Sequence, residues 1–556
     1  MTIKDDIENL VRNALAEAQK SDLLPSVKVG DISIDRPQQA GHGDFASSLP
    51  LKLAKPMRMN PMLIAEKIES LIPTEGIVES VSIAAPGFIN FSLKQSWLAE
   101  QVDVIREAGD SFGNVDVGKG LRVQIEFVSA NPVGPLHVAH ARGGVIGSAL
   151  ANILEAGGYN VDREYYFNDA GAQIIHFKRS LFARYQQEFG REVKVPEDGY
   201  HADYMVDLAR EIKEEEGDRL LNLPEEQAQD EIGPIGLDKM MARIREDVKL
   251  LRIDFDNWFN EATLYKEGQF DKAMQLLRDE DYITEEDGAV WFASTKLGDE
   301  KDKVMVRSNG IPTYFASDVA YHYNKFFERK YDKVINIWGA DHQGHAAFLK
   351  ALIGALGLPP EKMTLIINQL VTLKRGGEVV RISKRTGDMI SLRDVIEEVG
   401  ADPCRFFFLS RDANSQMDFD MDLAREQSQE NPVYYVQYAH ARISSILRLA
   451  EERTIDFSGG DLSLLTHDAE LALIRKMLEL PELIEMITHS LEPHHLPHYS
   501  TELATAFHKF YDQCRVVSEK AEDQAMNKAR LKLADATRIA LARCLSLMIM
   551  DAPVQM

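Results

Sequence analysis

Between Leu121 and Gly158 the chain runs a strand, a turn broken by proline and glycine, and a helix in direct succession, the order in which a nucleotide-binding α/β domain begins. Leu121, Val123, Ile125 and Phe127 alternate with Arg122, Gln124 and Glu126, which predicts a strand with one apolar face. Asn131, Pro132, Gly134 and Pro135 end it. Val145, Ile146, Ala149, Leu150, Ile153 and Leu154 then recur at helical spacing until Gly157 and Gly158 stop the pattern. His137 and His140 therefore fall where the helix starts, on one side of it. The first turn of a helix offers unpaired N–H groups and the positive end of the dipole, so imidazole donors there would add to a phosphate-binding site. Read alone, the pair does no more than open and cap a helix, since a short motif is only a hypothesis. A metalloprotease-type zinc pair is disfavoured, because that pair is spaced by four around a glutamate.

The composition sets limits. A chain of 556 residues exceeds one ordinary core, and roughly two to four domains are expected. Lys and Arg total 63 against 88 Asp and Glu, a formal charge of −25, so no global positive field gathers nucleic acid. Any RNA contact must be local and steeply salt-dependent. Cys404, Cys514 and Cys544 are far apart and make neither a paired metal-ligand spacing nor a disulfide framework, which fits a reducing cytoplasm. The acidic N-terminus has no long apolar core, so it reads as neither a secretory signal nor a transit peptide, and no run of about 18 apolar residues exists to span a bilayer.

The whole string EFVSANPVGPLHVAH, from Glu126 to His140, closely resembles the HIGH-motif region of class I aminoacyl-tRNA synthetases, specifically that of the arginyl-tRNA synthetase family. The rest of the chain fits that resemblance. Residues 1 to about 115 contain an amphipathic helix, a tight turn at Gly41 and Gly43, a second helix around Leu51 to Ile72 and a strand-like Gly87–Leu93. They look like the family's small α+β N-terminal module, which the resemblance implies contacts tRNA. From about 116 to 412 strands and helices alternate, predicting a Rossmann-like doubly wound parallel sheet with ligands at the carboxyl ends of its strands. A charged, mostly helical stretch at about 178–289 resembles the insertion that splits the family's catalytic fold. Beyond about 413 every long segment has helical periodicity, including Tyr434 to Leu449, Leu471 to Met486 and Ala529 to Met550, which predicts an all-α bundle. In the family that bundle binds the anticodon, and Tyr435 to Arg442 resembles its opening helix. His494, His495 and His498 read as a proline-punctuated surface loop, with no carboxylate or cysteine nearby to complete a metal site.

Adenylate formation needs an amino-acid carboxylate to attack the α-phosphate of ATP while pyrophosphate leaves, so the site must hold phosphates and offset developing negative charge. The resemblance implies that His137 and His140 do this from the helix start. Glu378 to Asp388 follows an apolar strand expected at Leu365 to Leu373 and resembles the KMSK loop, read here as Arg381-Ile382-Ser383-Lys384. Lys384 matches the motif's second lysine. Arg381 replaces its first, keeping the charge with a different geometry. Gly339 to His345 ends the apolar strand Val334 to Trp338 and opens a helix at Ala346. It resembles the segment beside the ATP ribose, making Gly339 and Asp341 ATP-site residues, whereas His342 and His345 read equally well as helix-start polar groups. Arginine selection calls for carboxylates that can meet a planar guanidinium. Glu126 and Asp318, with the hydroxyl and ring of Tyr314, match that pocket, Asn131 matches its α-amino end, and Ser129 is a further arginine-binding residue. Ala139 stands where the HIGH tetrad usually has glycine.

The resemblance thus implies a cytoplasmic, monomeric arginine–tRNA ligase with ATP, Mg2+, L-arginine and an arginine-accepting tRNA as its partners. It implies no protein-held metal, no membrane and no DNA. A cysteinyl enzyme is disfavoured by the absence of a cysteine and histidine cluster, and a valine-type editing domain has no room in the insertion. The rival from another class is a catalytically silent relative that only binds tRNA.

Overall fold

The computed structural model describes residues 2–37, 41–380 and 390–556. Its central element is a five-stranded parallel sheet in the spatial order Met363–Asn368, Lys333–Gly339, Arg122–Glu126, Asn160–Phe167, Asn257–Asn260. In chain order this is 5-4-1-2-3, the doubly wound order, which reverses direction at Arg122–Glu126. Ligands of such sheets bind at that reversal, outside the carboxyl ends of the strands.

Arg122–Glu126 is central and covered on both faces, so the expected one-sided strand is corrected. Val123, Gln124, Ile125 and Glu126 are all buried, and Leu121 is exposed. Its polar side chains survive burial because they belong to a row of partners: Asn336, Glu126, Glu164 and Asn257 lie in register across four strands. Lys325 balances Glu126, and Arg329 balances Glu164. A buried charge costs several kcal/mol unless it is paired in this way.

The helix Val138–Ala156 packs close to the sheet because glycines line its inner side. A Cβ at Gly147 would lie 2.3 Å from the Phe127 ring, and one at Gly144 would lie 2.8 Å from Ile253. Gly158, at φ +85°, takes the left-handed position that ends the helix. Arg142, buried mid-helix, donates to the carbonyls of Gln369 (3.1 Å), Ser415 (2.8 Å) and Asp412 (2.8 Å), tying the helix to the 411–415 loop.

Several expected boundaries move. The strand expected at Leu365 to Leu373 stops at Asn368, since the Gln369 N–H turns to the Ala413 carbonyl at 2.9 Å. Val371–Arg375 then joins a separate sheet with Glu378–Val379 and Met417–Asp420. That last strand lies past 413, so the segment beyond it does not begin as pure helix. The stretch expected as a helical insertion at 178–289 is helical through Ala172–Glu188, Asp203–Glu216 and Glu225–Leu250, but its Asn257–Asn260 strand is the edge of the main sheet. A small antiparallel sheet of Ile283–Glu286, Ala289–Phe292 and Lys303–Val306 follows.

The Leu51 to Ile72 helix divides into Leu49–Met57 and Pro61–Glu69, with Arg58 in the left-handed region between them. Leu471 to Met486 likewise divides into Asp468–Met477 and Leu480–Ser490, with Pro481 near the start of the second. Gly43, at φ +78°, would put a Cβ 2.4 Å from the Phe91 carbonyl oxygen, so the expected tight turn requires glycine there. The N-terminal unit rests on the helical bundle through Arg36–Glu482, Asp44–Arg475 and Asp103–Lys532. No helix among the described residues is long and apolar enough to cross a membrane.

Candidate functional site

A cavity of about 2350 Å³ opens at the carboxyl ends of the sheet, where the strand order reverses. Glu126, Ser129, Asn131, His137, Ala139, His140, Tyr314, Asp318, Gly339 and Asp341 all line it, so the sequence-predicted residues that the structure describes come together in one place. Arg381, Ser383 and Lys384 lie outside the described residues. Ile390 and Ser391, just after them, line the same cavity.

The turn after Glu126 is strained. Val128 (φ +69°) and Ser129 (φ +45°) both occupy the left-handed region, unusual for any side chain and more so for a β-branched one. Tyr165 holds them there: its hydroxyl donates to the Ala130 carbonyl at 2.7 Å and accepts from the Ala130 N–H at 3.1 Å. Ser129 Oγ accepts from the Tyr166 N–H at 3.2 Å. Asn131 is braced at both ends, its Oδ1 accepting from the Asn168 N–H at 3.0 Å and its Nδ2 donating to Gln173 at 2.8 Å.

His137 caps the helix and His140 sits one turn in, their rings 4.4 Å apart and nearly perpendicular. The His137 N–H donates to His140 Nδ1 at 3.3 Å, which makes Nδ1 the acceptor and leaves Nε2 to carry the proton. Burial lowers the pKa of His137, and burial together with His137 pushes that of His140 down to about 4. Both rings are therefore neutral donors at pH 7, and fixed positive charge must come from elsewhere. Leu136 and His137 are tied to Ser391 and Leu392: the Leu392 N–H reaches the Leu136 carbonyl at 2.8 Å, and His137 bridges Ser391. Asn368 Nδ2 donates to the Ala139 carbonyl at 3.0 Å from the end of the edge strand.

Across the cavity, Tyr314 and Asp318 stand one turn apart on the Tyr314–Tyr323 helix and so share a face. Tyr314 is 65% exposed, a ring open to the cavity. Asp318 Oδ2 meets His345 Nε2 at 2.5 Å. Beside it lies a residue that sequence reasoning missed, Glu261, which accepts from Tyr166 Oη at 2.5 Å and from Ser317 Oγ at 2.8 Å. Burial raises the Glu261 pKa, and neighbouring Asp318 adds to the rise. No lysine or arginine pairs with either acid among the described residues. Glu126 differs, because Lys325 from the π-helical turn Asn324–Glu328 already holds its Oε2 at 2.6 Å. Glu261 was missed because it follows a four-residue strand inside a charged stretch. The one available signal was the alternation of Ile253 and Phe255 with Asp254 and Asp256 just ahead of it.

The sequence matches three family models in succession: the arginyl tRNA synthetase N terminal domain over residues 5–93, the catalytic domain of class I (R) tRNA synthetases over 107–416, and the DALR anticodon binding domain over 436–556. It is 56% identical to the arginine–tRNA ligase of Dehalococcoides mccartyi, across 100% of this chain and 99% of that one.

The chain belongs to the arginyl-tRNA synthetase family.

A second member, the arginine–tRNA ligase of Caldanaerobacter subterraneus, is 46% identical, again across 100% of this chain and 99% of its own. The family fold is shared with the Thermus thermophilus arginyl-tRNA synthetase, at a TM-score of 0.78 and 22% identity with both chains fully covered. Within this arginyl-tRNA synthetase family member, one expectation outside the cavity is corrected. His495 and His498 lie within the helix His495–Gln513, not in a loop, and a carboxylate is at hand, since Glu492 Oε2 is 3.4 Å from His495 Nε2. That distance is an ordinary contact at three-residue spacing along the chain.

Proposed function

We propose that the protein is an arginine–tRNA ligase. It activates L-arginine with ATP and transfers it to the terminal ribose of an arginine-accepting tRNA. The observation that carries this reading is the pairing of two acids that no lysine or arginine among the described residues balances, Glu261 and Asp318, with a neutral histidine pair at a helix start in the same cavity. Acids held beside each other favour a cationic ligand, and a guanidinium can bridge both. Glu126, already paired with Lys325, keeps its second oxygen for the ligand, while Tyr314 supplies a ring face, Asn131 faces the α-amino end and Ser129 lines the arginine side.

In the first step an arginine carboxylate oxygen attacks the α-phosphorus of ATP, the bond to the bridging oxygen breaks, and pyrophosphate leaves with its charge. His137 and His140 donate to phosphate oxygens, Gly339 and Asp341 adjoin the ribose, and Arg381, Ser383 and Lys384 close the phosphate side. Mg2+ bound to ATP as part of the substrate would neutralise phosphate charge. In the second step a terminal ribose hydroxyl of the tRNA attacks the adenylate carbonyl and AMP leaves. No protein nucleophile is needed, so catalysis is positioning plus charge stabilisation.

For tRNA, the N-terminal unit offers a contact surface and the helical bundle an aromatic one. On the Pro432–Glu452 helix Tyr434 stacks on Tyr438, Tyr438 on His508, and Arg442 lies 4.4 Å over Tyr511. Rings and guanidinium planes of this kind suit unstacked anticodon bases. The protein works in the cytoplasm as a monomer, away from membrane and DNA.

Exchange of labelled pyrophosphate into ATP, with cognate tRNA present, tests the proposal. Exchange should depend on arginine and on no other amino acid. Its absence with tRNA present, while tRNA still binds, would leave a silent tRNA-binding relative instead.

A further inference from the structure

His345 stands where the short turn Ala340–His345 passes into the helix Ala346–Ala355. Its ring is caged by aromatic side chains. It stacks on Phe315 at 5.0 Å with planes 20° apart, with Phe348 at 4.9 Å, Tyr314 at 5.4 Å and Trp338 at 5.7 Å. The His345 side chain is 12% exposed and that of Asp318 is 21% exposed. Packing on this scale removes the ring's freedom to rotate, so the Nε2 contact to Asp318 Oδ2 is held in advance of any ligand.

A second histidine fixes the same residue from beneath. Lys325 Nζ donates to Asn336 Oδ1 at 2.9 Å, which turns the Asn336 Nδ2 donor toward His322 Nε2 at 3.1 Å. His322 Nδ1 therefore carries the proton and donates to the Asp318 carbonyl at 2.8 Å. The backbone of Asp318 is held by one imidazole and its carboxylate by another. The terminal torsion of an aspartate is otherwise broad, so a donor pinned on one oxygen decides where the other points.

We propose that His345 is a positioning residue for the arginine pocket: by holding Asp318 Oδ2 it presents the remaining Asp318 oxygen and Glu261 to a planar guanidinium, and so sharpens discrimination against lysine. The inference rests on the reading of Asp318 and Glu261 as guanidinium partners. A lysine ammonium carries the same charge as a point donor and is satisfied by a carboxylate in any rotation. A guanidinium fork needs acceptors fixed in its plane. Freeing Asp318 to rotate therefore costs arginine more than lysine.

The test is tRNA-supported pyrophosphate exchange with arginine and with lysine. It compares the unaltered enzyme, His345→Ala, His345→Gln, His345→Phe, Asp318→Asn and the Asp318→Asn/His345→Ala double variant. His345→Ala should raise KM for arginine roughly tenfold with kcat within about threefold, and lower the arginine-to-lysine ratio of kcat/KM. His345→Gln, which keeps a donor, should recover most of the loss. His345→Phe keeps the ring in its cage without the donor, should behave like His345→Ala, and carries the test if the alanine variant does not fold. The double variant should be no worse than Asp318→Asn alone, because the two side chains act through one contact. An unchanged KM in Asp318→Asn would overturn the pocket reading and this inference with it. A raised KM in Asp318→Asn beside a silent His345→Phe, or fully additive losses, would overturn this inference alone.

Discussion

Lys325 Nζ lies 2.6 Å from Glu126 Oε2 and 2.9 Å from Asn336 Oδ1, with the lysine side chain fully buried and that of Glu126 only 5% exposed. The pair sits directly under the cavity, at the end of the central strand. Burial lowers the Lys325 pKa while Glu126 and Glu164 work to keep it charged.

Lys325→Met should therefore destabilise the protein by about 3–5 kcal/mol, because it leaves a buried carboxylate without its counter-charge. Urea denaturation of the variant measures this. Adding Glu126→Gln should recover a substantial part of the loss, and a double variant as unstable as the single would show that the charge pairing is not the cause.

Glu261→Gln should raise KM for arginine by one or more orders of magnitude with a smaller change in kcat, matching the ~1.5–3 kcal/mol of a charge-assisted hydrogen bond. Asp318→Asn should do the same. Arginine titrations of the exchange rate supply both constants, and an unaltered KM for either variant would remove that acid from the pocket.

Lys384→Ala should lower kcat far more than it weakens arginine binding, because in the role proposed for it its charge would act on the leaving pyrophosphate as the transition state forms. The neutrality of His137 and His140 sharpens this expectation, since neither imidazole supplies a fixed cation at pH 7. Single-turnover adenylate formation and equilibrium arginine binding separate the two effects, and equal losses in both would contradict the role.

Buried His322 should make stability fall with acidity. Its pKa drops from 6.5 to about 4, chiefly by burial and then by Lys325. The unfolded chain takes up that proton below about pH 6.5 and the folded chain does not, so the full stability is present above that pH and is lost as pH falls toward 4. At pH 5 the loss from this one group is about 2 kcal/mol relative to pH 7.5. Urea denaturation at the two pH values should show His322→Gln losing less than the unaltered protein, by about that amount. Identical pH slopes would rule out His322 as the source.

The strand, the histidine turn and the helix were legible from Leu121 to Gly158 because local periodicity and turn chemistry act over a few residues. So was the place of Gly339 and Asp341 at the ligand-bearing edge, since they fall at a strand-to-helix boundary that the doubly wound pattern puts there, whereas Tyr314 and Asp318, on the Tyr314–Tyr323 helix, were named only through the family resemblance. The Arg122–Glu126 strand shows where such reading stops. Alternation predicted a polar face, but that face is buried in the tertiary fold, and the turn Asn324–Glu328 supplies Lys325, nearly 200 positions away, as the partner of Glu126.

What the sequence by itself determined was the family, the order of the units, and the residues that line the cavity and are proposed for its phosphate and arginine ends. Only the tertiary structure decided which acids are balanced and which stand open to a ligand. Glu126, Glu261 and Asp318 are alike as sequence; Lys325, Tyr166 with Ser317, and His345 make them different. The physical reason is that the charge state and orientation of a buried carboxylate are set by what faces it across the fold, and local pattern carries no record of that.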